Sequence, residues 1–394
     1  MKKTTDAIKT RYLAMLSVAS VLFGWHAGGG FATGNQANQF FVVSGWWGPF
    51  SAVLAILLLT LTVRQAMTMY NLHGLSNYKE LFHVLYHPLD KLELVFEVYF
   101  FIMTLMATSA SIAGAGTLFQ DVMHIPYGVA IVFVGLILLV LTIFGADLVR
   151  KVSTVMSVLI LICALTIFAV GISNRPLEIL AVFQEGPQLS QLPGALLRSF
   201  QYAGFQSASI PTMIVCGTVL LNKKECGKSM WISFIMNSLA LCLAVFMLLG
   251  WQGVYTSVEG GTVIPTLTVC KELKIGVLAW AYYICLFLCF ISTGVTSVFG
   301  FTERFEKTKV FSGIRRETLR RGVVALIIMA TSMGISLVGL SSIVKYGYGY
   351  CGYIGIAIIV IPFLTVGVYK NRKYEKAQLS EQKITEKTEE KEGI

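Results

Sequence analysis

Charged residues are scarce in this chain, and their scarcity excludes a soluble globular protein. Only 13% of the 394 residues are Asp, Glu, Lys or Arg, whereas 55% are hydrophobic and the mean hydropathy is +0.71. A soluble domain carries about 25% charged residues. The apolar surface of this chain exceeds what one core can bury, so we predict that the protein resides in a lipid bilayer.

Clustered metal ligands and basic patches are also lacking. The eight cysteines have no paired metal spacing, and we interpret Cys285 and Cys289, one helical turn apart, as ordinary packing. The net charge of +10 is spread over short segments, which predicts contact with anionic lipid rather than with nucleic acid. His26 and Glu97 are too few for a membrane enzyme, so we expect no catalytic residues and no cofactor beyond a coupling ion.

The chain has instead nine long intervals without any charged residue. Each is long enough for a spanning helix, which needs about 20 residues. The first interval has double length and splits at Ser44–Pro49, where turn residues accompany interfacial tryptophans. We therefore predict an all-α polytopic membrane protein with ten transmembrane helices, called spans 1 to 10. The intervals are Tyr12–Val63, Val98–Gln120, Val122–Ala146, Val152–Asn174, Ser199–Asn222, Ser229–Val258, Ile275–Thr302, Gly322–Val344 and Tyr346–Tyr369.

The basic residues predict the orientation of these spans. When successive loops are assigned to alternate sides of the membrane, most of the 31 basic residues fall on one side. The opposite side receives only Arg175, Arg198, Lys271, Lys274 and Lys345. This bias predicts a bacterial inner-membrane protein with both termini in the cytoplasm. The basic start resembles a signal peptide, but its apolar stretch is too long, so we expect a retained helix.

The predicted organisation is a pair of five-helix repeats. It comprises a cytoplasmic amino terminus (1–11), a first repeat (12–174), an external connection (175–198), a second repeat (199–369) and a cytoplasmic tail (370–394). An odd number of helices in each half gives the halves opposite orientation, which is an inverted repeat. We expect the tail to be disordered or a frayed helix and Gly260–Leu273 to be a re-entrant or surface helix. The histidines of Met67–Asp90 lack clean metal spacing and predict a solvated or interfacial helix.

Spans 1 and 6 share a defect near their middle. Span 1 contains Ala27 to Gly34, with three consecutive glycines, and span 6 contains Tyr202 to Pro211. Three glycines in a helix interior cost about 3 kcal/mol relative to alanine, and proline removes a backbone donor. Close helix packing is the alternative explanation for span 1. Because the defect recurs in span 6, we predict that both helices are broken and flank a midplane binding site.

A broken helix offers two complementary ends to a solute. The amino end of its outer half, near Gly30 to Thr33, presents N–H groups that attract a carboxylate. The carboxyl end of its inner half, near Gly24 to Ala27, presents carbonyl groups that attract a cation or an ammonium group. Candidate substrate-binding residues on spans 1, 3 and 6 are Gly28, Gly29, Gly30, Phe31, Thr33, Thr108, Tyr202, Gly204, Phe205, Gln206 and Ser207.

These motifs resemble a known family. The glycine run of span 1 is similar to the helix break of the amino acid–polyamine–organocation superfamily, which has the five-plus-five leucine-transporter fold. The chain looks most like its YkvI-type bacterial membrane proteins. In span 8, Ser292 to Ser297 resembles the sodium-ligand stretch of sodium-coupled members. The resemblance implies a Na⁺ site formed by Thr293, Thr296 and Ser297 opposite the carbonyls of Gly24 and Ala27.

Protons are the alternative coupling ion. His26 lies beside the break and Glu97 lies about one turn inside span 3, so both are candidates for proton coupling. Glu97 has the alternative of pairing with Arg64 or Lys151. Some proton-coupled relatives place a lysine in span 5; this chain has none between Val152 and Asn174.

We expect a cation-coupled symporter for a small zwitterion such as an amino acid. The alternative is a membrane sensor of the same fold that binds the solute without transporting it.

Overall fold

The computed structural model describes residues 2–26, 28–144, 146–305, 313–314, 316–378 and 380. The described residues form helices and connecting turns and contain no β-strand. The helices are α1 (Lys2–His26), α2 (Gly29–Ala32), α3 (Asn35–Phe40), α4 (Gly48–Leu72), α5 (Tyr78–Tyr86), α6 (Leu92–Met123), α7 (Tyr127–Phe144), α8 (Ala146–Asn174), α9 (Pro176–Gln184), α10 (Leu192–Gln206), α11 (Ile210–Cys216), α12 (Lys223–Ser257), α13 (Pro265–Glu272), α14 (Gly276–Phe305), α15 (Glu317–Ser336) and a last helix, Leu340–Gln378.

Six continuous helices among the described residues are long and apolar enough to cross a membrane. They correspond to predicted spans 2, 3, 7, 8, 9 and 10. The sharply bent pair Leu159–Asn174 and Pro176–Gln184 raises the number to seven if it is counted as one span. Span 4 is the shorter apolar helix α7, and spans 1 and 6 are divided into shorter helices. The protein is therefore a polytopic all-α membrane protein, as predicted.

Span 1 is broken twice. The helix α1 ends at His26, a single turn forms α2, and α3 begins at Asn35. At the second break Gly34 has φ 77°, and a Cβ there would overlap the Thr266 hydroxyl of α13. Only glycine combines a left-handed backbone with such a close approach.

Span 6 is distorted rather than unwound. A 3₁₀ turn, Ser207–Ser209, separates α10 from α11, and its backbone stays in the right-handed helical region. Pro211 falls in the first turn of α11, where its missing N–H has no helical partner to lose. The interruption of span 6 is therefore smaller than that of span 1.

The middle of span 6 crosses the last helix with no side chain between the two backbones. A Cβ on Gly204 would overlap the carbonyl of Gly352, and a Cβ on Gly355 would overlap the carbonyl of Gly204. The Tyr99 hydroxyl of α6 donates a 2.7 Å hydrogen bond to the same Gly204 carbonyl. This crossing fixes span 6 between α6 and the last helix.

Loops assigned to the cytoplasm by their charges meet at one end of the molecule. Arg11 pairs with Glu225 at the start of α12, and Lys223 lies 2.7 Å from Glu375 of the last helix. Lys370 donates 2.7 Å hydrogen bonds to the carbonyls of Val84 and His87 at the end of α5. Which end faces the cytoplasm stays a prediction.

Several boundaries differ from the charge-free intervals. The helix α10 begins at Leu192, within the predicted external connection, and α9 occupies most of the remainder. Span 9 ends at Ser336, because Gly339 has φ 85° and breaks the helix, so Lys345 lies inside the last helix. The predicted tail is helical through Gln378, and residues 381–394 lie outside the described residues.

Candidate functional site

The break in span 1 places the start of α2 near the middle of the span. The N–H groups of Phe31 and Ala32 both donate to the Gly28 carbonyl, at 3.0 and 3.1 Å. Gly29 and Gly30 are the first two residues of α2, where a helix leaves its N–H groups without an intrahelical partner. These donors of the first turn lie nearer to α1 than the predicted stretch Gly30 to Thr33, and they suit an anionic group.

A cavity of about 300 Å³ lies beside this break, between spans 1, 3, 6 and 8 and the last helix. It extends from the break along the inner half of α1 to Val21. The lining residues are Val21, Gly24, Trp25, His26, Gly28, Gly30, Phe31, Gln36, Met103, Ala107, Phe205, Gln206, Thr212, Cys289, Ser292, Thr293, Thr296, Ser297 and Tyr348.

Oxygen atoms from α14 face the end of α1. A Cβ on Gly28 would lie 3.8 Å from the Thr293 hydroxyl oxygen and 3.4 Å from the Trp25 carbonyl oxygen, so the break and span 8 are in contact distance. Gly24 has open space where its Cβ would be. The Thr296 hydroxyl donates to the carbonyls of Ser292 and Thr293, at 2.8 and 3.1 Å, which leaves its oxygen free to accept or to coordinate.

Those predicted cation-binding residues that the structure describes lie together at the cavity. Gly24, Thr293, Thr296 and Ser297 all line the cavity, whereas Ala27 lies outside the described residues. Carbonyl and hydroxyl oxygens are the ligands of hard cations such as Na⁺. The geometry therefore suits a small cation between α1 and α14.

A buried hydrogen-bond network closes the opposite wall. His26 is 1% exposed, and its Nε2 atom lies 2.7 Å from the Tyr202 hydroxyl oxygen. The Tyr202 hydroxyl also lies 3.3 Å from Gln36 Oε1, and Gln206 Nε2 donates to it at 3.3 Å. Asn237 of α12 faces the other side of the His26 ring. The network joins spans 1, 6 and 7 at the level of the break.

Buried polar atoms remain unsatisfied at the end of this network. His26 Nδ1 and Asn237 Oδ1 both lack a hydrogen-bond partner in the structure. An imidazole can accept from a hydroxyl on one nitrogen while it carries a proton on the other. Because buried polar groups are nearly always satisfied, a small rotation of either side chain would pair His26 Nδ1–H with Asn237 Oδ1.

Aromatic rings line the remaining surface. Phe205 stacks on Tyr348 with ring centroids 5.1 Å apart, and Phe31 packs against His26 at 5.0 Å and Phe168 at 6.0 Å. Each of these side chains is nearly fully buried. Such walls accommodate an apolar group.

Several predicted substrate residues lie outside the cavity lining. The Thr33 hydroxyl bonds locally, since it donates to the Gly30 carbonyl at 2.8 Å and accepts from the Asn35 N–H at 3.1 Å. The hydroxyls of Thr108 and Ser207 donate to carbonyls of their own helices, as hydroxyls in membrane helices often do. Gly204 contacts the last helix, as described above. Gly29 contributes its backbone to the break, and Tyr202 lies behind the lining residue Gln206.

Glu97 is not among the residues that line the cavity. Its Oε1 atom accepts a 2.9 Å hydrogen bond from Tyr78 at the start of α5. Arg64, a predicted partner, instead lies beside Gly227 of α12. Lys151, the other predicted partner, lies in a stretch of α8 whose side chains are outside the description.

Sequence reasoning missed several lining residues. Gln36 follows the glycine run in an interval without charge, and a polar side chain at membrane depth is a usable signal. Thr212 carries the same signal, whereas Met103 does not, because only the packing of distant helices brings it to the cavity.

The side of the break away from α1, which the charge pattern predicts to be the outer side, is closed by α13 and the segment before it. The Thr266 N–H donates to the Thr33 carbonyl at 3.1 Å, and Asn35 Nδ2 donates to the Val263 carbonyl and the Ser341 hydroxyl, both at 2.9 Å. The Tyr282 hydroxyl donates to the Ala32 carbonyl. The cavity thus lies on the side of the break that holds the amino terminus.

A salt bridge connects the same outer region to α6. Lys271 of α13 lies 2.7 Å from both carboxylate oxygens of Asp121, which also accepts from the Tyr283 hydroxyl. Burial lowers the pKa of Lys271, but its hydrogen bonds to Asp121 and Tyr283 outweigh this effect and hold the pKa above its usual value. Lys271 therefore stays protonated and connects α13 to α6 through its salt bridge.

No protein-family model and no curated protein matches this sequence. Solved structures do resemble the fold. MhsT in complex with L-phenylalanine superposes with a TM-score of 0.59 at 12% identity, covering 91% of this chain and 97% of that chain. A Na⁺-coupled sialic acid symporter gives 0.53 at 12% identity with the same coverage.

A third similar structure is a variant of the manganese transporter of Eremococcus coleocola. It gives a TM-score of 0.53 at 19% identity, covering 90% of this chain and 79% of that chain. These likenesses establish the fold shared by such transporters, as the glycine motif predicted. The finer resemblance to YkvI-type proteins stays a prediction.

Proposed function

We propose that the protein is a secondary active transporter that carries a small zwitterionic solute, most simply an amino acid, together with a cation by alternating access. One observation carries the proposal. The first turn of α2, which begins at Gly29, lies beside the same cavity that Thr293, Thr296 and Ser297 line with hydroxyls. Anion-binding and cation-binding groups thus meet at one broken helix, where a carboxylate and its accompanying ion are both stabilised.

The cavity chemistry favours an organic solute. Its aromatic wall of Phe31, Phe205 and Tyr348 suits an apolar side chain, while Gln36 and Gln206 offer amide groups for polar recognition. The structurally similar MhsT holds L-phenylalanine, and the sialic acid symporter takes a carboxylated sugar. Both precedents support a solute with one carboxylate.

A divalent metal is a poorer substrate for this cavity, despite the manganese transporter among the similar structures. No Asp or Glu occurs among the described residues that line it. Hard divalent cations such as Mn²⁺ select carboxylate ligands. A zwitterion, whose net charge is zero, needs no such ligand.

Sodium is the coupling ion that the oxygen-lined side of the cavity supports. Gly24 lies open beside Thr293, Thr296 and Ser297, and all four have carbonyl or hydroxyl oxygens. His26 supports the proton alternative, since it is buried beside the break and hydrogen-bonds to Tyr202 next to the cavity. The hydroxyl set offers more ligands, so we favour Na⁺.

Uptake by the purified protein in proteoliposomes tests the proposal. A panel of labelled amino acids is offered under a sodium gradient and, separately, under a proton gradient. Concentrative uptake driven by one gradient is expected. Saturable binding of an amino acid without uptake under either gradient would instead identify a sensor, and absence of both would refute the proposal.

A further inference from the structure

Two histidines and an aspartate at the end of α5 remain unused by the proposed transport cycle. His83 and His87 lie four residues apart, so they share one face of the last helical turn and its continuation. Asp90 follows at the turn that leads into α6. The sequence alone suggests a solvated helix here, but the fold brings the three side chains together.

The distances between these side chains are close to those of a metal site. Asp90 Oδ1 lies 3.2 Å from His87 Nδ1 and 3.7 Å from His83 Nδ1. One ligand atom from each residue lies within 4.8 Å of the others. Tetrahedral zinc with bonds of 2.0–2.1 Å places its ligand atoms about 3.3–3.4 Å apart. Small side-chain rotations therefore suffice to bind an ion.

The surroundings leave the cluster accessible. The side chains of His83, His87 and Asp90 are 54%, 64% and 48% exposed, so an ion can enter without unfolding. Lys370 donates to the carbonyls of Val84 and His87, which holds the end of α5 in place. Its positive charge opposes a bound cation, and the carboxylate of Asp90 offsets that repulsion.

We propose that His83, His87 and Asp90 bind one divalent transition-metal ion of the Zn²⁺ class, with the remaining coordination position open to water. Imidazole nitrogens select Zn²⁺, Ni²⁺ and Cu²⁺ over Mg²⁺ and Ca²⁺, which prefer oxygen ligands alone. The bound ion connects α5 to the start of α6 and thereby fixes this turn. The site is separate from the substrate cavity, so it does not depend on the proposed transport function.

Calorimetric titration of Zn²⁺ into the chelator-treated full-length protein in lipid nanodiscs tests the proposal. We expect one saturable site per chain, absent from the double variant H83A/H87A. Single variants H83A, H87A and D90N should each weaken binding at least about tenfold, because the loss of a ligand costs no less than the loss of its supporting partner. Mg²⁺ should give no saturable binding.

A matched variant controls for non-specific binding to histidine. His124 is also exposed but lies at the carboxyl end of α6 with φ 55°, a conformation that asparagine tolerates, so H124N should leave the affinity unchanged. Circular dichroism and the thermal unfolding midpoint confirm that each variant is folded. Equal Zn²⁺ affinity in the wild type and in folded H83A/H87A would overturn the proposal.

Discussion

The Nε2 atom of His26 lies 2.7 Å from the hydroxyl oxygen of Tyr202, so one hydrogen bond joins the end of α1 to α10. The same hydroxyl lies 3.3 Å from Gln36 Oε1 and 3.3 Å from Gln206 Nε2. His26, Gln36 and Gln206 line the cavity, whereas Tyr202 lies behind them. One phenol therefore positions three groups that can contact a solute.

Replacement of Tyr202 by Phe should impair transport while the fold is retained. The ring keeps its packing, but three buried polar groups lose a shared partner, which costs on the order of 1–3 kcal/mol. We expect a raised KM for uptake and a lower unfolding midpoint. Tyr127→Phe is the control, because it removes a hydroxyl that bonds the Ser336 carbonyl away from the cavity. Equal KM values in the two variants would contradict the positioning role.

Replacement of Thr296 by Ala should abolish the sodium dependence of uptake. The change removes one hydroxyl from the oxygen-lined side of the cavity. Uptake is measured against sodium concentration in proteoliposomes. The control is Thr302→Ala on the same helix, where a buried hydroxyl bonds the Val298 carbonyl outside the cavity.

Proton coupling predicts a different pattern for the same assay. Wild-type uptake would persist without sodium and would collapse in His26→Ala. That result would refute the Na⁺ site at Thr293, Thr296 and Ser297.

Replacement of Gly30 by Ala should weaken substrate binding. A Cβ at this position would overlap the Gln36 side chain, which must then leave its place beside the break. We expect at least about a tenfold rise in KM, the equivalent of roughly 1.4 kcal/mol. The control is Gly334→Ala in α15, where a Cβ meets nothing within 4 Å and alanine favours the helix. An unchanged KM in Gly30→Ala would argue against solute contact with the break.

Replacement of Glu97 by Gln should leave the coupling unchanged. Its carboxylate accepts from Tyr78 outside the cavity, and the amide oxygen of glutamine can accept the same bond. The pH dependence of uptake is the measurement. A flattened pH profile in this variant, with normal protein stability, would show that Glu97 takes part in proton coupling.

Replacement of Asn35 by Ala should loosen the outer closure. The asparagine amide donates to Val263, Thr262 and Ser341, so its loss releases several bonds at once. The native Cys289, which lines the cavity, reports the change through labelling by a membrane-impermeant maleimide from the outer side. Faster labelling than in the wild type is expected, with Cys289→Ser as the control. Unchanged labelling would place the closure elsewhere.

Much of the fold is predictable because its main signals are local in the sequence. The bilayer thickness sets the length of each apolar stretch, and consecutive glycines weaken a helix where they occur. Charge-free intervals locate the spans, and the glycine run at Gly28 to Gly30 locates the first break. The predicted ends of the spans differ from the observed helix ends where the nearest charged residue does not mark the end of a helix. The helix α6 starts before Glu93, and span 9 ends at a positive-φ glycine, Gly339, several residues before Lys345.

The candidate site is predictable only in part. The span 8 hydroxyls and the glycines of span 1 carry local signals, and Gly24, Gly28 and Gly30 line one cavity with Thr293, Thr296 and Ser297. Thr108 does not line this cavity, and its hydroxyl donates to the Thr104 carbonyl of its own helix, so its substrate role stays a prediction. Met103 and Ala107 line the cavity from the same helix, and their apolar side chains look like any core residue in the sequence.

The crossing of Gly204 with Gly352 and Gly355 limits how the molecule can change shape. Backbones in direct contact have no side chain whose rotamer change could absorb a sliding movement. We therefore expect span 6 and the last helix to move together during any conformational change. Any hinge that opens the outer side has to bend elsewhere, and the doubly interrupted span 1 supplies the flexible joints.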